Sequence, residues 1–144
     1  MNRSVIPHQT QLREVIIEKI NCRRTGDFHA GASPRVDFAV RAKTLNNNEA
    51  YGYLTVKIFF DGEPKVFYLE LVVRGKLVNE KATNRTMLKR FAESQSLPLL
   101  LPWAREAVAS LTRRMGLPPL LLPLIDVFAT LRANDRVKNE KAEG

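Results

Sequence analysis

The chain has 144 residues, a length that suits one domain with its own core and leaves little room for two. Its formal net charge of +8 favours anionic partners, such as nucleic acid, anionic membranes or acidic proteins, without indicating a fold. A single cysteine and two histidines exclude a disulfide framework and a zinc cluster, and no apolar run reaches the roughly 18 residues of a membrane span.

Four segments of alternating apolar and polar residues predict β-strands after a polar, flexible tail at residues 1–10. The predicted strands are QLREVIIEKINCRR (11–24), RVDFAVRAK (35–43), YGYLTVKIFF (51–60) and KVFYLELVVRG (65–75). In the first strand the alternation predicts one face with Leu12, Ile16, Ile20 and Cys22 and another with Val15 and Ile17. The Asp61–Gly62 pair favours a hairpin, and four successive strands joined by short turns predict an antiparallel meander.

The hydrophobic period becomes helical after Gly75. The segment TNRTMLKRFAES (83–94) predicts a short helix that is capped by Thr83 or Asn84 and buries Met87 and Phe91. Because the apolar residues of this segment recur at helical rather than strand spacing, the short helix is expected to lie against the sheet.

A longer helix is predicted over LPLLLPWAREAVASLTRRMG (97–116). Pro98 and Pro102 fit only at its entry, where their missing N–H groups cost little, and Gly116 is the expected C-cap. A last helix, VFATLRANDRVK (127–138), is predicted to begin at an Asp126 cap, before a solvated C-terminal tail. Strands followed by helices predict an α+β fold with the helices packed on one face of the sheet.

Little in the sequence points to catalysis. It contains no glycine-rich phosphate loop, nucleophile elbow or zinc-protease motif, so we expect neither an enzyme nor a bound cofactor or metal. Tyr51, Tyr53 and Lys57 share the outward face of the third predicted strand, which leaves a sheet-based nucleic-acid-binding module as a less favoured alternative. The N-terminal segment MNRSVIPHQTQ lacks the apolar core of a signal peptide, which predicts a cytoplasmic protein without a membrane partner.

The chain carries more apolar residues near its C-terminal end than a monomer of this size can bury. The segment GLPPLLLPLIDVF (116–128) is rich in leucine, yet its three prolines disfavour both helix and strand. Contiguous apolar surface that stays exposed promotes aggregation unless a partner covers it. The surplus therefore predicts either an interface between copies of the chain or a groove for apolar segments of other proteins.

These same residues carry a resemblance to a known family. The entry LPLLLPWARE, the helix that follows, Gly116 and the proline-punctuated apolar loop together resemble the helical half of the SecB protein-export chaperones. The four predicted strands, and the PRV opening of the second one, are also similar to that family. The resemblance covers residues 11–135, between flexible tails at 1–10 and 136–144.

The resemblance implies a four-stranded antiparallel sheet with helices, assembled as a dimer of dimers. It also implies an ATP-independent holdase that keeps preproteins unfolded and delivers them to the SecA motor. The client groove is then expected to include Phe28, Leu99, Leu100, Trp103, Leu117, Leu120, Leu121, Leu122, Phe128 and Leu131. The tetramer interface is expected to include Ala107, Leu111 and Met115, on the apolar stripe of the main helix.

Two features depart from the family pattern. Phe28 is the only aromatic residue between the first two strands, which predicts a reduced aromatic part of the groove. Family members that act with SecA carry carboxylates on the first strand that hold a basic, zinc-bearing SecA tail. The resemblance therefore implies a partner-docking sheet face with Lys19 and Arg23 in place of those carboxylates and with Glu70 on the fourth strand, which matches the family. This reversal disfavours SecA as a partner and supports the alternative of a SecB-like chaperone that protects the antitoxin of a toxin–antitoxin pair.

Overall fold

The computed structural model describes residues 9–81 and 84–122, in which four strands precede one long helix. The elements are β1 (Thr10–Arg24), β2 (Arg35–Thr44), β3 (Glu49–Phe59), β4 (Phe67–Asn79) and α1 (Arg85–Arg114). This order confirms the predicted α+β class and places all four strands within a few residues of their predicted bounds. Two units are distinguished along the chain, Met1–Ala104 and Arg105–Gly144. The helix predicted after Asp126 lies outside the described residues.

The strand order corrects the predicted meander. The sheet runs β1-β4-β3-β2 with every neighbouring pair antiparallel, so only β2, β3 and β4 form a meander. β1 pairs with β4, and residues 25–34 carry the chain to the opposite edge, as in a Greek key. The N–H groups of Thr25 and Gly26 fix this connection by donating to the Val66 carbonyl at 2.9 and 3.1 Å. The prediction was wrong because alternation shows which residues share a face, but not which strands are neighbours.

Two register shifts in β1 change which of its residues face the core. They lie between Leu12 and Glu14 and between Ile17 and Lys19. Each bulge lets one strand gain a residue and reverses the alternation beyond it. On the side of the sheet that faces the helix, β1 places Leu12, Val15, Ile17, Ile20 and Cys22, whereas Ile16 lies opposite Arg74 on the outer side. The predicted faces were therefore wrong for Val15, Ile16 and Ile17, which lie between the bulges, because a strict period of two does not allow for an extra residue.

The core of the first unit lies between the sheet and the first part of α1. Side chains that are buried on this face include Leu54, Val56, Ile58, Leu69, Leu71, Val73 and Leu77 from the strands and Leu88, Ala92, Leu97 and Leu100 from the helix. Phe60, just after β3, is also buried. Gly52 and Gly75 lie opposite each other in β3 and β4 and let the helix approach. A Cβ on Gly52 would lie 2.1 Å from Ser96 Oγ, and one on Gly75 would lie 2.8 Å from Leu100 Cδ2.

The two predicted helices form one continuous helix in the structure. It begins at an Asn84 cap, whose Oδ1 accepts the N–H of Met87 at 2.8 Å. Pro98 and Pro102 lie inside the helix rather than at an entry. An interior proline costs about 3 kcal/mol, and the burial of Leu97 and Leu100 on either side of Pro98 stabilises the helix against that cost. Met87 was wrongly predicted to be buried: it is 61% exposed, and its neighbour Leu88 takes the core position.

The described part of the second unit shows how α1 ends. Gly116 adopts a left-handed conformation with φ of 76°, and its N–H donates to the Arg113 carbonyl at 3.0 Å. The N–H of Leu117 donates to the Thr112 carbonyl at 3.1 Å. These two bonds form a Schellman motif, which confirms the predicted glycine C-cap.

Candidate functional site

Exposed apolar side chains occur in both units. Among the residues that the structure describes, the large exposed apolar side chains of the first unit are Ile17, Ile20, Phe28, Met87 and Trp103, and Leu121 is exposed in the second unit. Trp103 is 50% exposed and Leu121 is 72% exposed, values well above those of core residues. Phe28, Trp103 and Leu121 are the predicted groove residues that the structure places at the surface.

Three other predicted groove residues are buried in the structure. Leu100 is 1% exposed and packs against Gly75, so it belongs to the core of the first unit. Leu117 and Leu122 are also buried, while Leu99 and Leu120 are half-buried. The sequence could not separate these leucines because a proline-punctuated segment has no period that divides an inner face from an outer one. Phe128 and Leu131 lie outside the described residues.

The proline-leucine loop, residues 117–122, is held in place by a buried hydroxyl. Thr112 Oγ1 accepts the N–H of Leu120 at 2.9 Å and lies 2.9 Å from the Val108 carbonyl, to which its own hydrogen can be donated. Thr112 is fully buried, so no water competes for these bonds. The loop is thereby fixed at its centre while Leu121, the next residue, projects into solvent. An extended backbone with few free donors can display a leucine in this way without joining a sheet.

The predicted oligomer residues lie on one side of the second unit's helix. Ala107, Leu111 and Met115 are spaced four residues apart, which places them on one helix face, and all three are half-buried. This arrangement fits a surface that a further copy of the chain could cover.

The outer face of the sheet, which lies opposite the helix, brings together two of the three predicted docking residues. Lys19 Nζ lies 2.8 Å from Glu70 Oε1, and the Tyr68 hydroxyl donates to Glu70 Oε2 at 2.8 Å. The hydrogen bond from Lys19, followed by that from Tyr68, holds the pKa of Glu70 below its usual value. The same pair raises the pKa of Lys19, chiefly through the hydrogen bond to Glu70. The Glu70 carboxylate, one of the predicted docking residues, is therefore paired with a cation of its own chain.

Arg23 completes the docking residues on the same face. It lies opposite Tyr68 in the register of β1 and β4 and is exposed. Each of the two bulges reverses the alternation, so together they restore it, and Arg23 and Lys19 both point away from the helix side. Sequence reasoning did not find that Ile17 and Ile20 are exposed on the helix side of β1, and the placement of Ile17 on that side depends on the bulges.

A comparison with known families matches residues 8–138 to the model of preprotein translocase subunit SecB. The chain belongs to the SecB family. This is a family of chaperones, and the match covers nearly the whole sequence, including the sheet, α1 and the proline-leucine loop.

Two curated relatives support this assignment. The chain is 34% identical over 100 residues to the protein-export protein SecB of Afipia carboxidovorans and 32% identical over 104 residues to an uncharacterized protein of Methanocaldococcus jannaschii. These matches cover 69% and 68% of this chain. The aligned parts span 62% and 66% of the respective relatives.

Solved structures of similar fold include a SecB-like chaperone. The SecB-like chaperone of Mycobacterium tuberculosis, in complex with a ChAD peptide from an antitoxin, superposes with a TM-score of 0.70 at 17% identity, covering 81% of this chain and 90% of that one. A protein of unknown function from Streptococcus agalactiae gives a TM-score of 0.51 at 9% identity, covering 80% and 97% of the two chains. At these identities the likeness concerns the fold. Within residues 9–81 and 84–122, no helix has the length and apolar character needed to cross a bilayer.

Proposed function

We propose that this chain is an ATP-independent holdase that binds unfolded polypeptides in the cytoplasm and prevents their aggregation. The observation that carries the proposal is the exposure of Trp103 and Leu121 in a chain of the SecB family. A tryptophan side chain that is half exposed supplies a large apolar contact area at little cost in conformational entropy. Such a residue suits the capture of many different apolar segments.

The client contacts are assigned to exposed residues of each unit. Trp103 and Phe28 act in the first unit, and Leu121 acts in the second, with the half-buried Leu99 and Leu120 beside them in sequence. The hydrogen bond between Leu120 and Thr112 supports this role for the loop, because a backbone that is already ordered loses little entropy when a client binds. Met87 is the other large exposed apolar side chain of α1 and lies near the start of the helix, 16 residues before Trp103. It provides a control that is matched in exposure.

The proposal is tested by the suppression of client aggregation. Light scattering of a chemically unfolded model protein is followed with the wild type, with Trp103→Ser combined with Leu121→Ser, and with Met87→Ser. The double variant is expected to lose most of its protective effect, whereas Met87→Ser keeps it. Since all three side chains are exposed, the variants are expected to fold, which circular dichroism checks. Equal loss of protection in all variants would contradict the assigned contacts.

We further propose that the protein is a homotetramer, a dimer of dimers whose interface includes Ala107, Leu111 and Met115. Support comes from their common helix face and partial burial. Light scattering coupled to size exclusion is expected to give about four times the 16.4 kDa chain mass. A stable monomer at micromolar concentration would contradict this part of the proposal.

For the biological partner we favour protection of an antitoxin over delivery of preproteins to SecA. Lys19 and Arg23 would meet a basic, zinc-bearing SecA tail with like charge, and Glu70 already binds Lys19. The structural likeness to a SecB-like chaperone in complex with an antitoxin peptide is consistent with this choice. Co-expression with the antitoxin of any neighbouring toxin–antitoxin pair tests it: the antitoxin should remain soluble only when this chain is present.

A further inference from the structure

The outer sheet face carries a second cluster of charged residues, separate from Lys19 and Glu70. It lies near the turn between β2 and β3, and its members form two rows that cross β2, β3 and β4. One cross-strand row contains Lys43, Tyr51 and Lys76, and the next contains Arg41, Tyr53 and Arg74. These six residues, here called the basic patch, place two tyrosines at the centre and two cations on either side.

The arginines of the basic patch are held over the tyrosine rings. Arg41 Cζ lies 4.3 Å from the Tyr53 ring centre, and Arg74 Cζ lies 4.4 Å from the Tyr51 ring centre. The two rings meet edge to face with their centres 6.2 Å apart. A guanidinium that stacks on an aromatic ring keeps its N–H donors free at its edge, and the ring restricts its rotamers. The structure thus orients both groups before any partner binds.

The two sides of the basic patch differ in their charge balance. On β4, Lys76 Nζ lies 2.9 Å from Glu49 Oε2, and Arg74 Nη1 lies 3.6 Å from Glu18 Oε1. On β2, Arg41 and Lys43 are exposed, and neither has a carboxylate within 4.0 Å in the part of the chain that the structure describes. The β2 side therefore presents two cations whose charge no neighbouring group neutralises, one of them oriented by a ring.

Space for a ligand lies directly beside Arg41. The next cross-strand row consists of the small or medium residues Ala39, Thr55 and Val72. It forms part of a depression of about 910 Å³, which Arg41 and Lys57 also line. A volume of this size accommodates a few residues of extended peptide. Its lining also contains Lys19 and three carboxylates, each within 4.0 Å of a cation: Glu70 of Lys19, Asp37 of Arg35 and Glu18 of Arg74. Arg41 and Lys57 have no such partner among the described residues, and these two cations favour a carboxylate-bearing segment that crosses the strands.

We propose that an acidic peptide segment of a partner protein docks on the outer sheet face, with its carboxylates bound by Arg41 and Lys43. The planar Arg41 guanidinium matches a carboxylate through paired hydrogen bonds. Nucleic acid fits the surface less well, because single-stranded bases need open aromatic faces and the guanidinium groups cover those of Tyr51 and Tyr53. This inference is independent of the proposed client-binding function, since it uses a different surface.

The test measures fluorescence anisotropy of a labelled oligoglutamate peptide titrated with the full-length protein at low salt. The variant Arg41→Glu with Lys43→Glu is compared with Lys89→Glu combined with Arg90→Glu, a control with the same change in charge on exposed helix residues. The first variant is expected to weaken binding roughly tenfold or more, and the control is expected to stay close to the wild type. If the first variant fails to fold, Arg41→Gln with Lys43→Gln replaces it. This variant is also expected to weaken peptide binding, but by a smaller factor, because it removes the two charges without reversing them.

Two further measurements separate docking from general attraction. Tyr53→Leu should weaken binding without changing any charge, because it removes the ring that orients Arg41, whereas Tyr53→Phe should not. An oligothymidylate with the same number of negative charges should bind more weakly than the peptide. The proposal is overturned if the helix control loses as much affinity as the patch variant, if the oligothymidylate binds more tightly, or if the peptide does not bind.

Discussion

The two faces of the sheet have the same strands but opposite chemistry. The helix side of β3 and β4 is apolar and closely packed, with glycines where α1 approaches. The outer side carries charged residues that are largely matched in pairs, including Lys19 with Glu70 and Lys76 with Glu49. Neighbouring residues such as Leu71 and Val72 therefore experience quite different environments.

The helix side of the sheet stabilises the fold, whereas the outer side is available for binding partners. Packing on the helix side depends on shape, so it tolerates few substitutions. Pairs of exposed charges contribute little to stability, which leaves the outer face free to vary with its partner. Lys19 and Arg41, the two cations to which our proposals assign partner selection, both lie on this outer face.

The largest expected effect compares Leu71→Ala with Val72→Ala. Leu71 is fully buried on the helix side, whereas Val72 is half-buried on the outer side. We expect the first change to lower the free energy of unfolding by about 2–5 kcal/mol and the second by about 1 kcal/mol or less. Urea unfolding at one fixed protein concentration measures both. Similar losses for the two variants would show that the outer face is buried in the assembled protein.

The second prediction concerns the close approach at Gly52. A Cβ at this position would lie 2.1 Å from Ser96 Oγ and 3.1 Å from Ser96 Cβ. Gly52→Ala should therefore destabilise the fold by about 1–3 kcal/mol through overpacking. Ser96→Ala should recover most of that loss when combined with it, because the hydroxyl is the closer atom. Additive effects of the two substitutions would show that Ser96 is not the obstacle.

The third prediction reverses charge on the outer face. Lys19→Asp with Arg23→Glu should strengthen binding of a basic, zinc-bearing SecA tail peptide by roughly tenfold, since it replaces like charges with opposite ones. Calorimetric titration at low and moderate salt measures the change, which should shrink as salt rises. Tight wild-type binding that the variant does not improve would contradict the charge argument and restore SecA as the favoured partner.

The smallest expected effect is on the pH dependence of stability. Lys19 holds the pKa of Glu70 below its ordinary value of about 4.5, so the ionised carboxylate favours the folded state. That contribution is present above about pH 4.5 and is lost as the pH falls through the lowered pKa. Glu70→Gln should therefore be slightly less stable than the wild type near pH 7 and match it at strongly acidic pH. Urea unfolding across this pH range measures the difference, and a difference that does not shrink on acidification would contradict the assigned pairing.

The sequence predicted the α+β class, the strands and the glycine C-cap because alternation, turn residues and Gly116 are local signals. It did not predict that β1 pairs with β4, since pairing depends on contacts between residues distant in the chain. The continuous helix through Pro98 was missed because the burial of flanking leucines outweighs a local preference. For the candidate site, the resemblance identified the surface residues Trp103 and Leu121 but could not exclude the buried Leu100.

The most direct test of the proposed client contact uses Trp103, which is the only tryptophan of the chain. Its indole is 50% exposed, so its fluorescence emission should report coverage by a bound polypeptide. The chain is titrated with a permanently unfolded client that lacks tryptophan, while anisotropy of a label on the client records binding independently. A saturable blue shift of the emission that follows the binding curve is the predicted result. Binding without any change in emission would contradict the assignment of Trp103 to the client surface.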